Sequence, residues 1–207
     1  MPLIILTGYP CSGKSRRATE LEDYLSINSR RKVTVISDQL LLTNKNAAYA
    51  DSRQEKEIRS ILKSKVQHLI NKDDIVILDS ANYIKGYRYE LYCISKSAKS
   101  TQCTVHCETC TEAAWSWNLC RPESDRYSRE IFDELIARYE APDNRNRWDV
   151  PLFTIQMGDS LPFDNIMDAL FQRKAPPPNQ STQSLPLTST NFLYELDCVT
   201  REIVNRV

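Results

Sequence analysis

Residues Gly8-Tyr9-Pro10-Cys11-Ser12-Gly13-Lys14-Ser15 have the types and the spacing of a loop that closes around phosphate. Glycine at both ends lets successive backbone N–H groups turn inward on the phosphate oxygens. Lys14 can then reach the β- and γ-phosphates, and the Ser15 hydroxyl can ligate Mg²⁺. The helix that follows, with Arg16 in its first turn, adds the positive end of its dipole at the same point. This is a Walker A pattern, and it uses two of the four glycines in the chain. Gly8 through Ser15, together with Arg16, form the nucleotide-binding candidates, with a nucleoside triphosphate and Mg²⁺ as the expected ligands.

Binding phosphate is not turnover, which also needs Mg²⁺ held by a carboxylate and a group that orients the nucleophile. Ile75-Val76-Ile77-Leu78-Asp79 is a buried-type strand ending in a carboxylate, the Walker B arrangement. Asp38 follows Val33-Thr34-Val35-Ile36 in the same way. In an open parallel sheet both acids fall on the ligand-binding carboxyl edge, where they can hold Mg²⁺ or its water, or accept a proton. Each also has a plainer reading, Asp79 capping its own turn and Asp38 capping a helix that begins at Gln39. The metal set is therefore Ser15, Asp38 and Asp79, and the catalytic set Lys14, Asp38, Asp79 and Arg121.

The segment from Arg121 to Trp148 carries Arg121, Arg126, Arg129, Arg138, Arg145 and Arg147. It reads as a mobile lid that brings cationic groups over the phosphates as charge spreads in the transition state. Arg121 before Pro122, and the pair Arg145 and Arg147 before Trp148, are its strongest members. The others read equally as solvated helix charges, as Glu134 and Arg138 would be at i,i+4. Cys103, His106, Cys107 and Cys110 resemble a zinc set, but Cys103, Val105 and Cys107 alternate along an interior strand, which sends His106 to the opposite face. Trp115, Trp117 and Trp148 could stack on a base, although core or lid packing suits at least two of them.

Short apolar runs alternate with amphipathic stretches, the βαβ pattern of an α/β fold whose parallel sheet is covered on both faces. Strands are predicted at Leu3–Thr7, Lys32–Ile36, Ile75–Leu78, Gln102–Cys107 and Leu152–Gln156. Helices are predicted at Gly13–Ser26, Ser52–Ile70, Gly86–Lys96, Thr111–Leu119, Arg129–Glu140 and Phe163–Gln172. The expected architecture is a P-loop NTPase with five parallel strands, kinase-like, with an arginine-rich lid, over residues 1–173. A Pro/Ser/Thr-rich linker follows over 174–189. Residues 190–207 begin a helical domain whose apolar stripe, Phe192, Leu196, Val199, Ile203 and Val204, is unfinished at the last residue and points to truncation.

At 207 residues the chain has room for one such domain and an appendage. Lys plus Arg and Asp plus Glu balance at 27 each, so no global field draws it to nucleic acid or membrane. The seven scattered cysteines suit reduced thiols. With no leader-like start and no apolar stretch near 18 residues, a monomeric protein of the cytoplasm, and additionally of the nucleus, is expected.

Three stretches carry a resemblance: Gly8 to Ser15, then Asp79-Ser80-Ala81-Asn82-Tyr83-Ile84-Lys85-Gly86-Tyr87-Arg88-Tyr89-Glu90-Leu91, then Arg138-Tyr139-Glu140-Ala141-Pro142-Asp143-Asn144-Arg145-Asn146-Arg147-Trp148-Asp149. From Met1 through Phe171 the chain resembles the amino-terminal ATPase domain of the Elongator-associated killer-toxin-insensitivity family, related to L-seryl-tRNA(Sec) kinase. The resemblance implies a P-loop domain joined to a helical tRNA-contacting part. It further implies ATP hydrolysis that responds to tRNA, and a role in Elongator-dependent wobble-uridine modification. Lys14 and Ser15 match the phosphate and Mg²⁺ positions, Asp38 and Asp79 the carboxylates, and Arg121 the nucleotide-contacting lid. Ser15-Arg16 departs from the two threonines of many relatives, yet serine keeps the hydroxyl that Mg²⁺ needs. A seryl-tRNA kinase and a nucleotide-gated binding module without turnover are the alternatives. A neutral chain lacking the helical part is expected to bind tRNA weakly and in a salt-sensitive way.

Overall fold

The computed structural model describes residues 2–39, 44–70, 74–177 and 192–205. Leu3, Ile4, Ile5 and Leu6 are all fully buried, and alternation along strand β1 (Leu3–Thr7) sends successive side chains to opposite faces. Such a strand must be covered on both sides, and it sits at the centre of the sheet. The order is β2-β3-β1-β4-β5, with β2 at Val33–Ser37, β3 at Ile75–Asp79, β4 at Gln102–Cys107 and β5 at Leu152–Ile155. Each pairing is parallel; β1 pairs with β3 through Leu3↔Val76 to Leu6↔Asp79 and with β4 through Leu3↔Gln102 to Thr7↔His106.

Helix α1 (Lys14–Asn28) and helix α7 (Phe163–Phe171) cover one face, packing Leu21, Leu25, Ile166 and Leu170 on Ile4, Leu6, Ile77 and Val105. Helix α3 (Ser52–Leu69) and helix α4 (Lys85–Ser97) cover the other, where Leu62, Val66 and Leu91 meet Leu3, Ile5, Val76 and Leu78. Each such side chain taken from water contributes about 1.5–3 kcal/mol. The same unit also contains α2 (Lys45–Ala50), α5 (Thr111–Leu119) and α6 (Arg129–Ala137), with a 3₁₀ turn at Glu123–Asp125.

The expected five strands and six helices are present, with small differences at their ends. Strand β2 is shifted by one residue, to Val33–Ser37. Helix α6 stops at Ala137, three residues short of the predicted end, because the chain turns back there: the Glu140 N–H donates to the Tyr83 carbonyl at 3.0 Å and its carboxylate accepts from the Lys85 N–H. Helix α2 was not anticipated; it is one and a half turns long, too short for an apolar period to be read, and Asn44 caps it by accepting from the Ala47 N–H at 3.1 Å.

The described chain divides into a unit spanning Met1–Pro177 and a second spanning Pro178–Val207. In the second, helix α8 (Phe192–Asn205) spaces Leu196, Val199 and Ile203 along one side, and Arg201 pairs with Asp197 at 3.0 Å. Linker residues 178–189 lie outside the described residues. No helix among the described residues is long and apolar enough to cross a membrane.

Candidate functional site

The chain from β1 leads toward β2 and the chain from β3 crosses over to β4, so the carboxyl ends of the adjacent strands β1 and β3 bound a crevice. The loop Gly8 to Gly13 opens into it. Gly8 has φ 149°, and a Cβ there would lie 2.5 Å from the Cys107 carbonyl oxygen, so only glycine fits. Gly13 has φ 86° and ends the loop in open space at the start of α1. Cys11 holds the left-handed conformation at φ 58°, its buried thiol 3.6 Å from Asn118 Oδ1. Burial pushes that thiol up, against the opposing pull of Arg121, Lys14 and Lys45. The Ser12 hydroxyl is buried in the cradle without a hydrogen-bond partner. Lys14 Nζ folds back to donate to the carbonyls of Gly8 at 3.0 Å and Tyr9 at 2.6 Å. Desolvation pulls its ammonium down, and Cys107, Asp79 and Asp38 oppose that.

Asp79 ends β3 as predicted and is buried; the Asp38 N–H donates to its backbone carbonyl at 3.3 Å. Asp38 follows β2 and accepts from the Tyr49 hydroxyl at 3.2 Å. Burial, and then the neighbouring charge of Asp79, raise the Asp38 carboxyl to about 6, against Lys14, the Tyr49 bond and the Ala81 backbone. Ser15 Oγ accepts from Gln39 Nε2 at 3.2 Å, which brings the β2 loop against the phosphate loop. One hydroxyl and two crowded carboxylates form an all-oxygen donor set that suits a hard cation such as Mg²⁺.

Gly8, Pro10 to Arg16, Asp38, Asp79 and Arg121 all line this one cavity. Tyr9 does not; its ring packs edge-on against Tyr139 at 4.9 Å, and it contributes its carbonyl to Lys14 instead. Arg121 is held at the rim by local bonds: its N–H donates to the Asn118 carbonyl at 3.2 Å, and its own carbonyl accepts from Arg126 Nε at 2.6 Å. Sequence reasoning missed Lys45, Tyr49, Tyr127 and Tyr139, which also line the cavity. Lys45 Nζ is bonded to Asp125 at 2.9 Å and lies over the Tyr127 ring at 5.9 Å. Fully buried Asn118 ties this wall together, donating to the Tyr127 carbonyl and accepting from its N–H, both at 2.9 Å.

The arginines of the Arg121 to Trp148 segment do not all converge on this cavity. Arg138 bonds Glu55 at 2.9 Å and lies over Tyr83; Arg129 pairs with Asp133 at 2.7 Å and lies over Trp115. Arg145 and Arg147, expected over the phosphates, instead line a second cavity formed with Ser100 and Thr101, which precede β4. The reason is topological. Strand β5 is parallel, so the residues just before it must lie toward its amino end. Cys103 and Cys107 are core side chains, and His106 lies on the other face with its ring stacked near Tyr139 at 6.0 Å. Trp115 packs on Phe132 and Trp148 on Tyr89, while Trp117 is partly exposed.

A family model described as "Chromatin associated protein KTI12" matches residues 1–207. "Protein KTI12 homolog" of Danio rerio is 58% identical over 207 residues, covering 100% of this chain and 75% of that protein. "Protein kti12" of Schizosaccharomyces pombe is 40% identical over 217 residues, covering 99% and 75%. The crystal structure of Chaetomium thermophilum Kti12 in complex with ADP-AlF3 is similar with a TM-score of 0.73 at 37% identity, covering 82% of this chain and 99% of that one. The APS kinase CysC of Mycobacterium tuberculosis, in complex with AMPPNP and APS, shares the fold at a TM-score of 0.58 and 16% identity, over 81% and 96%. The fold is that of the P-loop kinases.

Proposed function

Because the chain belongs to the KTI12 family, we propose that it is a Mg²⁺-dependent ATPase that regulates Elongator-dependent modification of the tRNA wobble uridine. The observation that carries the ATPase reading is the convergence of Lys14, Ser15, Asp38, Asp79 and Arg121 on one cavity under a glycine-built loop. The relative crystallised with ADP-AlF3, at 37% identity, supports nucleotide as the ligand. The tRNA and Elongator roles rest on the resemblance of the Asp79 to Leu91 and Arg138 to Asp149 stretches. The family description, chromatin associated, supports a nuclear location beside a cytoplasmic one.

Loop N–H groups and the unpartnered Ser12 hydroxyl bind the phosphate oxygens, and Lys14 exchanges the Gly8 and Tyr9 carbonyls for the β- and γ-phosphates. Ser15, Asp38 and Asp79 would hold Mg²⁺, which supplies charge neutralisation across the phosphates. Asp38, which accepts from Tyr49, or Asp79 helps orient the attacking water, and Arg121 adds positive charge from the rim.

A second reading is favoured by the cavity wall of Tyr49, Tyr83, Leu135 and Tyr139, which could seat an acceptor hydroxyl as in a kinase. Incubation with γ-labelled ATP and seryl-tRNA separates the two. Free labelled phosphate alone is expected; label on the aminoacyl group would make the protein a kinase. No release above background in the wild type would leave a nucleotide-gated binding module.

A further inference from the structure

A second cavity, of about 360 Å³, lies at the opposite edge of the sheet. It is bounded by the carboxyl end of α4, the start of β4, the loop before β5 and the chain after α7. Its volume falls at the lower end of ligand pockets, about 300–1,000 Å³, which suits a small molecule better than a macromolecular surface.

Its floor and rim have different chemistry. On the floor, Ser95 is 1% and Gln102 6% exposed, and both the Ser95 hydroxyl and the Gln102 Oε1 lack a hydrogen-bond partner. Gln102 is fixed in place, because its Nε2 donates to the Trp148 carbonyl at 2.6 Å and leaves Oε1 as an acceptor. Buried polar atoms without partners are costly, and a ligand that pairs with them gains from it. The rim holds Arg147, Arg173 and Lys174, which form no ion pair among the described residues. Arg145 is different: its guanidinium is taken by Asp143 at 2.6 Å.

We propose that this cavity is a second ligand site, for a small phosphate ester that also carries hydroxyl donors, such as a sugar phosphate. The phosphate sits among Arg147, Arg173 and Lys174, where charge-assisted bonds are strongest. A hydroxyl of the ligand donates to Gln102 Oε1, and the Ser95 hydroxyl completes the floor. The site shares no lining residue with the phosphate loop.

The probe is ribose 5-phosphate, titrated into the full chain and read at the side-chain amide of Gln102 by NMR, a reporter that phosphate at the P-loop does not reach. Saturable shifts at Gln102 are expected in the wild type and equally in Lys14→Ala, which makes the result independent of the ATPase reading. Arg147→Glu with Arg173→Glu, both at exposed positions, should weaken the affinity at least about tenfold. Gln102→Leu, read at the Ser95 amide, should weaken ribose 5-phosphate about tenfold and leave inorganic phosphate unchanged. No shift at Gln102 at millimolar ligand, or equal affinity in the double rim variant, overturns the proposal. Binding of a short oligoribonucleotide there without binding of ribose 5-phosphate also overturns it, and assigns the cavity to a nucleic-acid strand.

Discussion

The two edges of the sheet solve the problem of charge in opposite ways. At the carboxyl edge, charges of both signs are crowded together under one loop, with Asp38 raised to about 6 by burial and by Asp79 while Lys14 is pulled down. At the amino edge, the charged groups that line the cavity stay on its rim in water and the buried groups of its lining are neutral. The first arrangement holds two carboxylates close enough that a bound cation would relieve their repulsion. The second is suited to holding a ligand unchanged. A strut connects them: buried Arg88 donates to Asp149 Oδ1 at 2.8 Å and to the Asn82 carbonyl at 3.0 Å, and Asn82 in turn donates to the Leu6 carbonyl at 2.7 Å beneath the phosphate loop.

Cutting that strut should have the largest effect on stability. Asp149→Ala leaves a fully buried guanidinium without its carboxylate and releases the Asp143 N–H and the Asn146 side chain, both 3.2 Å from Asp149. A loss of about 3–5 kcal/mol in urea unfolding is expected. A loss under about 1 kcal/mol would mean that the two edges are held independently.

The edges should also titrate with opposite sign. Asp38 binds its proton more tightly folded than unfolded, so in metal-free protein its contribution is fully present below about pH 4 and is lost as pH rises through about 6. Asp38→Asn should therefore stabilise the metal-free protein at pH 8 by up to about 3 kcal/mol, with the advantage vanishing near pH 4. Asp143, held down to about 2 mainly by its bonds to Arg145, behaves the other way: its contribution is present above about pH 4 and is lost as pH falls toward 2. Urea midpoints across pH 4–8 check the first effect, and a pH-independent difference between wild type and Asp38→Asn would contradict the crowding described for the carboxyl edge.

The smallest effect belongs to Arg147→Glu. At an exposed position without an ion pair among the described residues, it should change stability by less than about 0.5 kcal/mol and leave phosphate release unchanged. A drop in phosphate release would place Arg147 in the catalytic lid after all.

The carboxyl edge was legible in the sequence because its residues are local. Glycines six residues and one residue before Lys14, and acids placed just after apolar runs, are fixed by strand and turn geometry within a few positions. Its far wall was not legible, since Lys45 and Tyr49 sit on a helix too short to show a period, and Asn118 acts through loops. Arg145 and Arg147 illustrate a different failure. Their charge suggested a lid, but a parallel β5 beginning at Leu152 requires the preceding residues to have travelled down the sheet, an inference available from topology rather than from composition. The amino-edge cavity draws on residues from Tyr92 to Pro176, and no short motif records it.

We propose that the carboxyl edge turns over ATP with Lys14 at the phosphates. Inorganic phosphate release at saturating ATP and Mg²⁺, compared between wild type and Lys14→Ala, tests it most directly. Release by the wild type is expected, with a fall of about 10²–10³-fold or more in the variant and the melting temperature unchanged. Equal release by the two proteins would contradict it.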